Sequence, residues 1–305
     1  MYKIDTGVEI GGLKLKNPVI AASGTFGFGK EYAEFIDLNK IGGVSVKGLT
    51  LESRKGNPPP RIAETPAGIL NSVGLQNPGV FVFIKEYIPF LRGFDTKIIA
   101  NVAGNTVSDY LKMVEILSDA DIDAIELNVS CPNVKKGCAA FGSSREGVAE
   151  ITGSVRKLSE KPLIVKLTPN VSNIAEIAKA AEDAGADAVS LINTILGMAI
   201  DIHSKRPILA NNFGGLSGPA VKPVALRMVY EVSQRVNIPV IGMGGITTGE
   251  DAVEFLLAGA HAVMVGTANF INPAACLDIL DGIVNYMERY KLGRINEVVG
   301  KLVLN

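Results

Sequence analysis

The chain has 305 residues, 47% of them apolar, and its 30 basic and 31 acidic side chains leave a formal charge of −1. Such balance, with the basic residues scattered, argues against a nucleic-acid or acidic-membrane surface, and the apolar excess suits a parallel sheet buried on both faces. No apolar run approaches the ~18–20 residues of a membrane span, MYKIDTGVEI has no leader character, and Cys131, Cys138 and Cys276 make neither a disulfide framework nor a metal spacing, so the expectation is a cytoplasmic protein.

Residues 7–16 alternate apolar and polar side chains around Gly11-Gly12, which predicts a hairpin. Residues 18–22 then read as a buried strand, followed by a short helix near 31–35. A second strand at 43–47 leads into a long irregular insertion from Thr50 to about Val82. From there strands and helices alternate: 97–102 with 107–120, 124–128 with 145–158, 163–167 with 172–184, and 188–192 with 219–236. The last two units pair 239–242 with 248–258 and 262–265 with 273–290. Eight βα units predict an α/β fold, a (β/α)8 TIM barrel with an N-terminal hairpin and a long insertion after strand 2. No repeat or composition shift divides the chain, so 1–305 reads as one domain.

In such a barrel the active site lies where strands end at the C-terminal face. Those ends supply Ser23, Lys47, Asn101, Asn128, Lys166, Asn193, Gly244-Gly245 and Gly266-Thr267. Alternation puts Ser45 with Lys47 on one face, and Glu126 with Asn128. Lysines unmatched by carboxylates call for an anionic ligand, because a lone buried ammonium is costly. Asparagines donate and accept at once, which suits a flat heterocycle with alternating C=O and N–H groups. Glu126, a layer deeper, reads as half of a structural ion pair beneath the site.

The last two strands end in IGMGGI and VGTANF, joined by GGLSGP at 214–219, a pattern for a phosphate cradle of backbone N–H groups. Cys131, three residues past a strand end in ELNVSCPNVKKG, is the candidate for chemistry. A free thiol titrates near a pKa of roughly 8.5, and neighbouring lysines can lower it toward the working range of a general base. Neither His203 nor His261 falls at a strand's C-terminal end, Cys276 reads as inert core, and Cys138 shares the loop of Cys131 with no strand end to anchor it.

The stretches ASGTFGFG, VKGLT, GNPPPRIAET, LNSVGLQNPG, IANVAG, ELNVSCPN, VKLTPN, LINT, GGLSGPAVKP, IGMGGI and VGTANF resemble those of dihydroorotate dehydrogenases along nearly the whole chain. The resemblance implies a single FMN-binding catalytic barrel over 1–305, with one FMN per chain, oxidising dihydroorotate to orotate in pyrimidine synthesis. By motif position, Ser23, Lys47, Gly48, Asn101, Asn128, Lys166, Ile192, Gly218, Gly244, Gly245, Gly266 and Thr267 would hold FMN. Lys47, Asn71, Ser72, Val73, Gly74, Leu75, Asn128, Asn193 and Thr194 would hold the pyrimidine, and Cys131 would be the base.

A cysteine base without an N-terminal membrane-binding extension sets the chain apart from the quinone-linked branch. TFGFG, GNPPPRIAETPAGILNSVGLQNPG and SCPNVKKG are similar to the NAD-linked rather than the fumarate-linked soluble type. That type implies a partner electron-transfer subunit carrying FAD and a 2Fe-2S cluster, in a heterotetramer of two catalytic and two electron-transfer subunits. This chain has too few cysteines for the cluster. Cys138 departs from the family, where glycine is usual. The competing readings are a fumarate-linked dihydroorotate dehydrogenase, a dihydropyrimidine-type or dihydrouridine-type flavin reductase, and a non-catalytic barrel that binds a phosphate ligand.

Overall fold

The alternation of residues 7–16 closes into the expected hairpin. In the computed structural model, which describes residues 4–130 and 141–305, β1 (Val8–Ile10) pairs antiparallel with β2 (Leu13–Leu15). Val8, Ile10, Leu13 and Leu15 are buried, while Glu9 and Lys14 face out. Gly11 and Gly12 turn the chain at positive φ, 54° and 88°, the region that only glycine enters without strain.

The eight apolar runs become eight parallel strands. After β3 (Val19–Ala21) and β4 (Gly43–Ser45) come two strands of the insertion, β5 (Ile62–Thr65) and β6 (Gly68–Asn71), then β7 (Lys97–Val102), β8 (Ala124–Asn128), β9 (Leu163–Lys166) and β10 (Ala188–Leu191). Three short strands follow β10: β11 (Ile195–Gly197), β12 (Ile200–Asp201) and β13 (Arg206–Pro207). β14 (Gly214–Ser217), β15 (Val240–Met243) and β16 (Ala262–Val265) complete the set. The barrel closes in the order β3-β4-β7-β8-β9-β10-β15-β16, with β16 returning to β3. Every residue of β8, β9, β10, β15 and β16 is buried, because outward side chains meet helices and inward ones meet the opposite wall.

The helices form the outer ring. The starts of those at Val107–Ser118, Arg145–Arg156, Ile174–Asp183 and Gly249–Leu257 are set by side chains that accept from otherwise unpaired backbone N–H groups. Thr106 and Asp109 make a capping box for α3 (Val107–Ser118), preceded by the short α1 (Val80–Val82) and α2 (Ile88–Leu91), which a π turn at Phe83–Tyr87 joins. Ser144 caps α4 (Arg145–Arg156) and Asn173 caps α5 (Ile174–Asp183). A 3-10 turn at Pro219–Val221 leads into α6 (Lys222–Ser233), and Thr248 with Asp251 boxes the start of α7 (Gly249–Leu257). The short α8 (Ala268–Ile271) and the long α9 (Ala275–Arg289) end the ring. A Cβ on Gly249 would lie 2.4 Å from the Cα of Gly282, so α7 and α9 touch backbone to backbone.

One expectation is corrected. The insertion after β4 is not irregular: β5 and β6 form a hairpin and join a four-stranded antiparallel sheet in the order β11-β14-β6-β5. This sheet caps the C-terminal mouth of the barrel. Its strands are short and half exposed, and Asn71 pairs with Gly215 across 144 residues, so no local period announces them. Among the described residues no helix is long and apolar enough to cross a membrane.

Candidate active site

The mouth of the barrel and the capping sheet enclose one cavity between them. Of the FMN residues expected from sequence, Ser23, Lys47, Gly48, Asn128, Lys166, Ile192, Gly218, Gly244, Gly245, Gly266 and Thr267 line it. Asn101 does not; it is fully buried beneath Asn128. Among the pyrimidine residues, Asn71, Val73, Gly74, Leu75, Asn193 and Thr194 line the same space. Ser72 instead turns into the capping loops, where its hydroxyl accepts from Asn57 and from Asn211 at 3.0 Å. Cys131 and Cys138 lie outside the described residues.

Lys166 reaches the cavity from the end of β9 with only 4% of its surface exposed, and its Nζ donates to Ser23 Oγ at 3.1 Å. Among the described residues no carboxylate lies within ion-pair distance of it. The nearest buried carboxylate in register is Glu126, two residues deeper on the adjacent strand, since Asn128 pairs with Lys166 and Glu126 with Ile164. A cation so placed fits a site that takes an anion or an electron-rich ring.

Glu126 corrects the second expectation. It is no ion-pair partner among the described residues. Its Oε2 accepts from Ser45 Oγ at 2.7 Å and Asn101 Nδ2 at 2.5 Å, and its Oε1 from Ser190 Oγ at 2.7 Å. Three inward-facing neutral donors on β4, β7 and β10 therefore satisfy it across the barrel interior.

Beyond β10, two strands round the barrel from Lys166, three glycines bring bare backbone to the cavity wall. Gly218, Gly244 and Gly245 hold φ of 101°, 128° and 73°. A Cβ on Gly245 would sit 2.9 Å from both Gly218 O and Lys222 N, and one on Gly218 would sit 2.7 Å from the Cα of Gly68. Two groups that the sequence did not single out hold this turn. Lys222 Nζ donates to Asp251 Oδ1 at 2.6 Å, and the Oδ2 of that carboxylate accepts from Thr247 N, Thr247 Oγ1 and Thr248 N at 2.8, 2.7 and 2.9 Å. Burial opposes ionisation of Asp251, yet the lysine and threonine donors outweigh it and bring its pKa down to about 2. Beside the turn, Thr267 Oγ1 donates to Ser217 Oγ at 2.8 Å.

Other lining residues escaped the sequence reading, among them Thr25, Ile69, Leu216, Ser217 and Phe270. Ile69, Leu216 and Ser217 belong to the capping sheet, which was missed. Cys276 is fully buried, and desolvation raises its pKa to about 12, so its thiol stays protonated core. His261 is half-buried at the far end of the barrel, and burial lowers its pKa.

Sequence comparison decides the family. The profile described as dihydroorotate dehydrogenase matches residues 6–287. The chain belongs to the dihydroorotate dehydrogenase family. It is 63% identical, over 99% of its length and 100% of the relative's, to a protein of Alkaliphilus oremlandii named dihydroorotate dehydrogenase B (NAD(+)), catalytic subunit. Proteins of the same name from Thermoanaerobacter pseudethanolicus (58%, covering 97% of this chain and 98% of the relative) and Bacteroides thetaiotaomicron (57%, covering 98% and 99%) align over nearly the whole length. Among solved structures, dihydroorotate dehydrogenase of Eimeria tenella in complex with ferulenol superposes with a TM-score of 0.81, covering 97% of this chain and 88% of that one. At 23% identity that likeness shows the barrel fold alone.

Proposed function

We propose that the chain, as one catalytic domain over 1–305, oxidises dihydroorotate to orotate for pyrimidine synthesis, with one FMN in the barrel mouth. The observation that carries the reading is a single cavity lined by a side-chain-free turn at Gly218, Gly244 and Gly245, by a buried lysine and by the amides of Asn71, Asn128 and Asn193. That donor set suits the proposed group. The glycine turn and Thr267 would hold the phosphate, Lys166 with Ser23 the electron-rich edge of the ring, and Lys47 the carboxylate of the pyrimidine. When bound, FMN supplies the two-electron acceptor that takes hydride from the substrate.

The protein's own work is binding, orientation and proton removal. The asparagine amides offer donors and acceptors to the pyrimidine's alternating C=O and N–H groups. The capping sheet, through Ile62, Ile69 and Leu216, covers the cavity with apolar side chains and limits water there. Cys131, three residues beyond Asn128 in sequence, takes the C5 proton on its Sγ.

Electrons leave through a partner. The glycine clusters are engaged in the cavity, and the three cysteines cannot ligate a cluster. Relatives carry a name that pairs NAD(+) with a catalytic subunit. Phe270, 54% exposed, lines the cavity edge beside the 78%-exposed Ile271, an apolar margin suited to a protein neighbour. The reading is a cytoplasmic heterotetramer of two such chains with two electron-transfer subunits that hold FAD and a 2Fe-2S cluster.

The purified chain should be yellow and should reduce artificial dyes with dihydroorotate, with almost no NAD reduction until the partner is co-expressed. Robust NAD reduction by the chain alone overturns the partner. Efficient fumarate reduction moves it to the other soluble type, preference for dihydrouracil makes it a dihydropyrimidine-type reductase, and a colourless protein removes the flavin.

A further inference from the structure

Glu126 is a fully buried carboxylate that the proposed chemistry does not use. It lies one layer below the cavity and does not line it. What it touches forms a directional chain. Asn101 Nδ2 donates to Glu126 Oε2 at 2.5 Å, and Asn128 Nδ2 donates to Asn101 Oδ1 at 3.2 Å. At the far end, Ser130 donates to Asn128 Oδ1 from its backbone N at 3.3 Å and its Oγ at 3.0 Å.

The polarity of this chain is fixed from both ends. A carboxylate only accepts, so Asn101 must turn its NH2 group down and its carbonyl up. A backbone N–H only donates, so Asn128 must turn its carbonyl toward Ser130 and its NH2 toward Asn101. The Asn128 main chain is itself pinned, since buried Tyr110 donates to its carbonyl oxygen at 2.8 Å. Asn128 itself lines the cavity, and a Cβ built on its neighbour in that wall, Gly48, would lie 3.9 Å from Asn128 Nδ2 and 3.0 Å from Asn101 Oδ1. Nδ2 carries two hydrogens, and among the described residues Asn101 is its one acceptor.

We propose that Glu126 is a positioning residue: acting through Asn101, it holds Asn128 with its NH2 group toward the cavity, so that the second hydrogen meets a carbonyl-type acceptor on the ligand. This inference rests on the reading of the cavity as a pyrimidine site and names one interaction in it. Ser45 and Ser190 serve Glu126 in turn, each donating a hydroxyl at 2.7 Å and leaving the carboxylate no oxygen unpaired.

The test measures orotate affinity and Tm on the FMN-loaded protein. Glu126→Met removes the acceptor at similar length and frees the Asn101 amide to rotate. Orotate should bind about tenfold more weakly, the scale of one misset hydrogen bond. Glu126→Gln keeps an oxygen for Asn101 and Ser45, while the Ser190 hydroxyl rotates to accept from the new amide. Orotate affinity should then stay within about threefold of wild type. In an Asn128→Ala background, Glu126→Met should lower Tm as before but leave orotate affinity unchanged, because the amide it orients is gone. A purely structural glutamate would weaken binding equally in both backgrounds, and that result overturns the proposal. So does a glutamine variant as weak as methionine, which would assign the effect to charge. If Glu126→Met does not fold, Asn101→Ala replaces it and must show the same dependence on Asn128. Failure of wild-type protein to bind orotate, or indifference to Asn128→Ala, would instead count against the pyrimidine site itself.

Discussion

Gly245→Ala isolates the cradle, because the structure sets both terms of its cost. Gly245 sits at φ 73°, where an L side chain costs about 1–2 kcal/mol. The added methyl would stand 2.9 Å from Gly218 O and from Lys222 N, backbone atoms held by β14 and by the start of α6, and 2.8 Å from Lys222 Cβ. Forcing such an overlap costs typically 1–3 kcal/mol. Together the terms reach about 2–5 kcal/mol, and at 1.4 kcal/mol per decade that is roughly 30-fold to a few thousand-fold in FMN affinity if the turn must keep its shape to bind. Flavin fluorescence quenching on the stripped protein gives the affinity, and the Tm of the same protein without FMN reports what is absorbed by relaxation. Gly153→Ala is the control: inside α4, its methyl would meet only Ala184 O at 3.8 Å. Helix propensity predicts a gain of about 0.5–1 kcal/mol there and no change in FMN affinity. FMN binding by Gly245→Ala within threefold of wild type, at unchanged Tm, would refute the close approach on which the cradle rests.

Cys131→Ala should retain FMN and slow flavin reduction by dihydroorotate on the order of 10²–10⁴-fold; near-normal stopped-flow reduction removes Cys131 as the base. Lys166→Ala, which deletes the buried cation of β9, should lose FMN or make its reduction potential more negative, and full occupancy at an unchanged potential contradicts that role. Asp251 has a folded pKa of about 2 against an ordinary 3.8, so its contribution is complete above about pH 4 and is lost as pH falls through about 2. The shift corresponds to roughly 2 kcal/mol, so Asp251→Asn should unfold at lower urea at pH 7 and converge on wild type toward pH 2. A gap that stays constant across that range would show that the stabilisation is not ionic.

The barrel was legible because its evidence is local. A strand buried on both faces must be apolar at consecutive positions, and the runs at 97–102, 124–128 and 262–265 coincide with β7, β8 and β16. Strand ends then point to the site without any knowledge of closure, which is why Lys47, Asn128, Lys166 and Asn193 all reach one cavity. Asn101 obeys the same rule but ends a layer lower, since its amide is drawn down to Glu126. That displacement depends on a residue 25 positions away and leaves no local trace.

The sequence by itself determined the hairpin, the eight barrel strands, the glycine turns and the chemical character of the site, because periodicity, positive φ and side-chain type belong to single residues or near neighbours. Only the tertiary structure decided that the insertion folds as a sheet over the mouth, that among the described residues Glu126 is met by hydroxyls and an amide and by no cation, and that Lys222 and Asp251 brace the cradle. Each of those is a pairing across the fold: 144 residues from Asn71 to Gly215, 81 from Ser45 to Glu126, 29 from Lys222 to Asp251. A polar side chain states what it can donate or accept, but which partner meets it is set by barrel closure, and closure is a property of the whole chain.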